Sequence, residues 1–279
     1  FQAEDGIRDF CLSRGLGDVY KRQIYYESAG QGEAVLYISG TGGDLRKSPS
    51  VFDNDLKNNF HLISYDQRGL GQSEIPVGPY SMKDYADDAF NFIEKLNLKR
   101  VYVIGVSFGG MVAQHLAINY PGIVERLVLM CTSPGGEKYH SFPLHELEEI
   151  IDDQEYVRKF ISISDLRINT DYIKNNSKQY AILTDQIKNY LRSPESKENK
   201  GKFLQLGARK DHNVIDFLNN IKCPTLIMGG LYDGIAPKDN IDILDEQIPN
   251  SVKKFYEGGH GFFLEDYQAW RDVISFLKD

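Results

Sequence analysis

The segment Val101–Gly110, VYVIGVSFGG, constrains this chain more than any other. An apolar, β-branched run stops at Gly105, and a helical pattern begins at Phe108. Such a bounded run, without polar alternation, suits a strand buried on both faces of a parallel sheet. Only Val106 and Ser107 separate strand from helix, so Ser107 must sit in a very tight turn. The backbone of such a turn is strained, and glycines on either side relieve the crowding. The turn exposes the Ser107 hydroxyl and aims the N-terminus of the following helix at it. The Phe108 N–H can then donate to an oxygen that gathers negative charge beside the serine.

The rest of the chain repeats the strand-then-helix rhythm. Further short apolar runs lie at Ala34–Ser39, Phe60–Asp66, Arg126–Cys131, Pro224–Gly229 and Val252–Tyr256. Helical patterns lie between and after them, at Ser81–Asn97, Phe108–Asn119 and Asp266–Lys278. The first of these puts Met82, Tyr85, Ala86, Ala89, Ile93 and Leu96 on one face, with Ser81 and Asp84 as an N-cap pair. The alternation predicts an α/β fold with a doubly wound, mostly parallel sheet. Right-handed crossovers put the carboxyl ends of the strands along one edge, where ligands bind.

Residues 138–221 break the rhythm. They are richer in charge and read as several helices, one of them over Asn176–Arg192, with Ser193–Lys202 as an exposed loop. The expected organisation is therefore an α/β core over 24–137 and 222–279, with a helical cap, or lid, over 138–221. Residues 1–23 stand apart. Asp18–Gln23, DVYKRQ, is what GATGTGTATAAGAGACAG encodes, and the whole stretch reads as the in-frame translation of a sequencing-library adapter. On that reading a native first strand has been replaced. The stretch is charge-neutral, so the net charge of −8 belongs to the remainder.

That net charge argues against a nucleic-acid or anionic-membrane partner, since both call for clustered positive charge. No apolar run reaches the length of a membrane span. Outside residues 1–23, which contain Cys11, the cysteines are Cys131 and Cys223, each in an apolar run. They read as buried thiols rather than a disulfide framework or a zinc site, and they favour a reducing, cytoplasmic setting.

Three further motifs join the Gly105–Gly109 turn. Asp66–Ser73 reads DQRGLGQS, Gly229–Asp233 reads GGLYD with Pro237 beyond, and Gly258–Gly261 reads GGHG. With these the chain resembles the α/β-hydrolase superfamily over nearly its whole length. It is similar to the 3-oxoadipate enol-lactonase-like and small carboxylesterase branches. The order Ser, Asp, His along the chain is that of the superfamily. The resemblance implies Ser107 as nucleophile, His260 as its base, and Asp233 as the acid that orients the base. Glu257 and Asp266 flank His260 as rival acids. The family often has His-Gly after its first parallel strand; here Ser39-Gly40-Thr41-Gly42-Gly43 stands in its place. The expected oxyanion donors are the backbone N–H groups of Thr41 and Phe108, with Gly42 as a rival to Thr41.

Other polar residues read differently. Arg68 is expected to brace a loop by ion pairing. His61, His115, His140 and His212 read as structural or exposed, and His145 is a candidate to face the pocket. The function this implies is hydrolysis of a small-molecule ester or lactone, with no metal or organic cofactor. Carbon–carbon bond hydrolysis and perhydrolysis by the same residues stay open. A small-molecule receptor of the same fold, with little turnover, is the alternative from a different class. Oligomeric state is open.

Overall fold

The structure is a computed structural model that describes residues 8–13, 21–192 and 200–279. Its described strands form an eight-stranded sheet in the order β1-β2-β4-β3-β5-β6-β7-β8. They are β1 (Arg8–Ser13), β2 (Lys21–Ala29), β3 (Ala34–Ile38), β4 (His61–Tyr65), β5 (Val101–Val106), β6 (Val124–Met130), β7 (Thr225–Gly230) and β8 (Ser251–Tyr256). The strands β4, β3, β5, β6, β7 and β8 pair in parallel, whereas β2 pairs antiparallel to both β1 and β4.

The expected strands therefore recur, with ends shifted by a residue or two. Strand β2 was not among them. Of the stretch read as adapter, Arg8–Ser13 and Lys21–Gln23 have described backbone, and both belong to strands. Residues 1–7 and 14–20 lie outside the described residues.

Alternation along each strand divides the apolar residues between two layers. Leu36, Ile63, Val103, Leu127, Leu129 and Ile227 join one buried cluster. Val35, Leu62, Ile104, Val128, Met130, Leu226 and Met228 join the other. The first layer holds α1 (Met82–Lys95) and α2 (Phe108–Asn119). Helix α1 opens with the expected capping box, Ser81 Oγ accepting from the Asp84 N–H.

Between β6 and β7 the chain inserts α3 (Gly136–Tyr139), α4 (Leu144–Leu147), α5 (Asp153–Ser164), α6 (Thr170–Asn175), α7 (Ser177–Leu191) and α8 (Lys200–Lys210). This insertion has its own apolar cluster, built on Leu144, Leu147, Tyr156, Val157, Ile161 and Leu206. The expected exposed loop Ser193–Lys202 needs correction. Residues 193–199 lie outside the described residues, and Lys200–Lys202 begin α8, with Gly201 and Lys202 buried. Gly201 docks so closely on the sheet-side loop that a Cβ there would overlap the Gly69 carbonyl. After β7 come α9 (Lys238–Gln247) in the first layer, then α10 (Phe262–Glu265) and α11 (Tyr267–Lys278), which pack on the second.

The chain leaves β3 toward β4 on one side, then returns to place β5 on the other side of β3. The loops after β3 and β5 thus diverge at a topological switch point, the crevice where parallel α/β sheets bind ligands.

Candidate active site

Ser107 occupies that crevice with φ 53° and ψ −114°, a left-handed conformation that is costly for a residue with a Cβ. The surrounding packing enforces it. The Ser107 N–H donates to the Met130 carbonyl at 2.9 Å, and its carbonyl accepts from Thr132 Oγ1 at 2.7 Å. Gly109 allows the start of α2 to lie directly against β3, since a Cβ at that position would overlap the Ile38 carbonyl. Phe108, fully buried, is the first residue of α2, so its N–H has no acceptor within the helix.

Histidine and acid come from the neighbouring loops. His260 Nε2 lies 3.0 Å from Ser107 Oγ, and His260 Nδ1 lies 2.8 Å from Asp233 Oδ2. The Asp233 carboxylate is buried, and its second oxygen accepts the N–H groups of Ile235 and Ala236 at 2.8 and 2.9 Å. One oxygen thus fixes the loop after β7 while the other faces the imidazole. The rival acids stand elsewhere: Glu257 is exposed, and Asp266 caps α11 by accepting from the Gln268 N–H at 2.8 Å.

Across from them runs the loop after β3. Gly40 packs against the serine, a Cβ there standing 3.5 Å from Ser107 Cβ. Gln67 Nε2 donates to the Ser39 carbonyl at 2.8 Å, and Asp66 Oδ1 accepts the Leu45 N–H at 2.8 Å. Burial pushes the Asp66 carboxyl up to about 6, against the lowering effect of its bonds to the Gln72 and Leu45 N–H groups. Burial likewise raises the Cys131 thiol, at the end of β6.

A model of the alpha/beta hydrolase fold matches residues 33–267. The chain belongs to the α/β-hydrolase fold family. A poly(3-hydroxyalkanoate) depolymerase of Ectopseudomonas oleovorans is 28% identical over 246 residues, covering 88% of this chain and 84% of that protein. Among solved structures, the enol-lactonase of Burkholderia xenovorans LB400 superposes with a TM-score of 0.73 at 20% identity, over 92% of this chain and 97% of that one. An esterase from Exiguobacterium antarcticum gives 0.75 at 22% identity, over 93% and 97%. At these identities the structural likeness speaks for the fold alone.

Within this hydrolase fold, the insertion reaches the site loops through two elements. The end of α5 meets the histidine and acid loops: the Ser164 carbonyl accepts the His260 N–H at 2.6 Å, and the Ile163 carbonyl accepts the Gly234 N–H at 3.0 Å. Helix α8 meets the loop after β3, where Gln205 Oε1 accepts the Gly42 N–H at 2.8 Å. The sequence reading assigned no part to Ser164 or Gln205. Neither carries a motif, and only packing brings them to the site.

Of the remaining polar residues, Arg68 and the paired histidines take structural places. Arg68 is buried and pairs with Asp88 and Asp84 of α1 at 2.6 and 3.2 Å. His115 and His212 face each other, Nε2 to Nδ1, at 3.2 Å, and burial holds both imidazoles well below their usual range. His145 lies half-buried in α4. No described helix is long and apolar enough to cross a membrane.

Proposed function

We propose that this chain is a serine hydrolase that cleaves a small-molecule ester or lactone through an acyl-enzyme on Ser107. One observation carries the reading: the unbroken line of hydrogen bonds from Asp233 through His260 to Ser107, at 2.8 and 3.0 Å, on a serine held at φ 53°. The insertion over residues 138–221 acts as the cap of the site, since α5 and α8 touch its loops.

The chemistry follows from that line. Ser107 Oγ attacks the carbonyl carbon of the substrate as its proton passes to His260 Nε2. Asp233 holds the imidazole in the required tautomer and stabilises the imidazolium that forms. Negative charge gathers on the carbonyl oxygen, toward which the N–H groups of Phe108 and Thr41 donate. One such donor contributes on the order of 10²–10³ in rate. The tetrahedral adduct collapses, and His260 returns the proton to the leaving oxygen. In a lactone that oxygen stays tethered to the acyl chain. Water, deprotonated by the same imidazole, then releases the acid and restores Ser107.

The test is a screen of short-chain aryl esters and lactones with native protein and with Ser107→Ala. Turnover by the native chain and a loss of at least about 10³-fold in the variant are expected. A fluorophosphonate probe should label the native serine and leave the variant unlabelled. Full activity in the alanine variant would overturn the assignment.

A further inference from the structure

The loop after β3 is held from the sheet by Gln67 and Asp66, but its midpoint, Gly42, is held from the insertion by Gln205. Gln205 is fully buried on α8. The orientation of its carboxamide is decided by its partner. Gly42 presents an N–H, so the oxygen must face it and the NH₂ group must face the other way. That nitrogen is buried and has no hydrogen-bond partner among the described residues. Beside Gly42, the hydroxyl of Thr41 is likewise buried with no partner among the described residues. Buried donors are rarely left unmet, so such groups on the loop whose Gly40 packs against Ser107 point to a polar atom of a ligand.

We propose that Gln205 is a positioning and specificity-determining residue: its oxygen holds the oxyanion loop through Gly42, and its NH₂ group donates to an oxygen carried by the acyl portion of the substrate. The proposal rests on the serine hydrolase reading above. It also makes the insertion more than a cover. The helix that shields the site sets the geometry of the Thr41 N–H, so the docking of α8 and stabilisation of the oxyanion are coupled. Substrates with an ether, keto or hydroxyl oxygen in the acyl chain are then favoured over their plain alkyl counterparts.

The experiment uses the full chain with p-nitrophenyl butyrate and p-nitrophenyl methoxyacetate, whose acyl groups differ by one CH₂ replaced by oxygen. Dividing each variant's kcat/KM ratio for the two esters by the native ratio cancels their intrinsic reactivity. Gln205→Met keeps the length of the side chain and removes both polar groups. Gln205→Glu keeps an oxygen for the Gly42 N–H. In Gln205→Met, kcat on the butyrate should fall about 10- to 100-fold with KM nearly unchanged, the pattern of a contact made in the transition state. Gln205→Glu should recover most of that kcat, yet at pH 8 both variants should lose about fivefold of the preference for methoxyacetate. Native kcat in Gln205→Met, no recovery in Gln205→Glu, or an unchanged preference in both would overturn the proposal. Should Gln205→Met fail to fold by circular dichroism, the preference of Gln205→Glu decides alone. Native protein that releases no nitrophenol from either ester overturns this proposal together with the serine hydrolase reading. Active native protein with unaltered variants overturns this proposal alone.

Discussion

The sheet edge and the insertion solve the same positioning problem by different means. Loops at the sheet edge inherit their places from strand ends locked in a parallel ladder, and short backbone bonds such as Ser107 N–H to Met130 finish the job. The described residues of the insertion form no ladder. Besides its apolar cluster, it is tied together by a few buried charged contacts. Glu148 meets Lys202 at 2.6 Å, Arg192 at 3.4 Å and the Tyr156 hydroxyl at 2.9 Å. Buried Arg209 donates to the Phe142 carbonyl and Ser141 Oγ, both at 2.7 Å, and burial pulls its guanidinium down to about 10. A ladder spreads the work over many equivalent bonds, whereas a buried ionic knot fails when one member is lost. The sheet should therefore tolerate single changes in fold and feel them in chemistry, while the insertion should feel them in its docking.

The sharpest test on the sheet side is Asp233→Asn. The asparagine oxygen can still accept the Ile235 and Ala236 N–H groups, so the loop should hold. The imidazole loses its orienting carboxylate, and kcat should fall on the order of 10⁴-fold with an unchanged circular dichroism spectrum. A loss below tenfold would break the comparison at its chemical end. On the insertion side, Glu148→Leu removes a buried carboxylate shared by Arg192 and Lys202, whose side chains are only 9% and 10% exposed, and leaves Arg192 its second partner, Asp153, at 2.9 Å. Urea unfolding should register about 3 kcal/mol of destabilisation, with activity falling in parallel.

The seam between the two regions has its own signature. His115 belongs to α2 and His212 follows α8, with His212 Nε2 3.0 Å from the Ser133 carbonyl. A neutral pair satisfies that chain: His115 donates to His212, which donates to Ser133. Burial depresses both pKa values in the folded state, and the charge His212 would feel from His115 lowers His212 further, so the unfolded chain takes up protons first. Their contribution is present above the ordinary imidazole value of about 6.5 and drains away as pH falls toward 4. Stability measured by urea at a series of pH values should drop over that window, and His115→Phe should flatten the drop by about 2 kcal/mol. The smallest effect belongs to α1. Ser81→Ala removes the N-cap, and about 1 kcal/mol should be lost with kcat unaltered. A fall in kcat there would mean that the sheet side is less tolerant than its ladder implies.

Much of this was legible in the chain because it is local. Helix α2 begins and ends where the pattern places it, at Phe108 and Asn119, and the capping residues of α1 are those read from Ser81 and Asp84. Strand β2 escaped notice because the adapter-like residues at Lys21–Gln23 mask the start of its pattern. The charged run ending at Lys202 reads as loop because charge normally marks solvent. Here Glu148, distant in sequence, buries Lys202 by pairing with it.

By itself, the sequence determined an α/β sheet, a strained serine turn at Ser107, and a histidine and an aspartate at the ends of later strands. These are set by bounded apolar runs, helical periodicity and the conformational needs of tight turns, all of which act within a few residues. Only the tertiary structure decided which acid meets His260, how α5 clasps the histidine loop, and that Gln205 reaches Gly42 from 163 residues away. Such contacts depend on how whole packed layers come to rest against one another, and no local propensity encodes that placement.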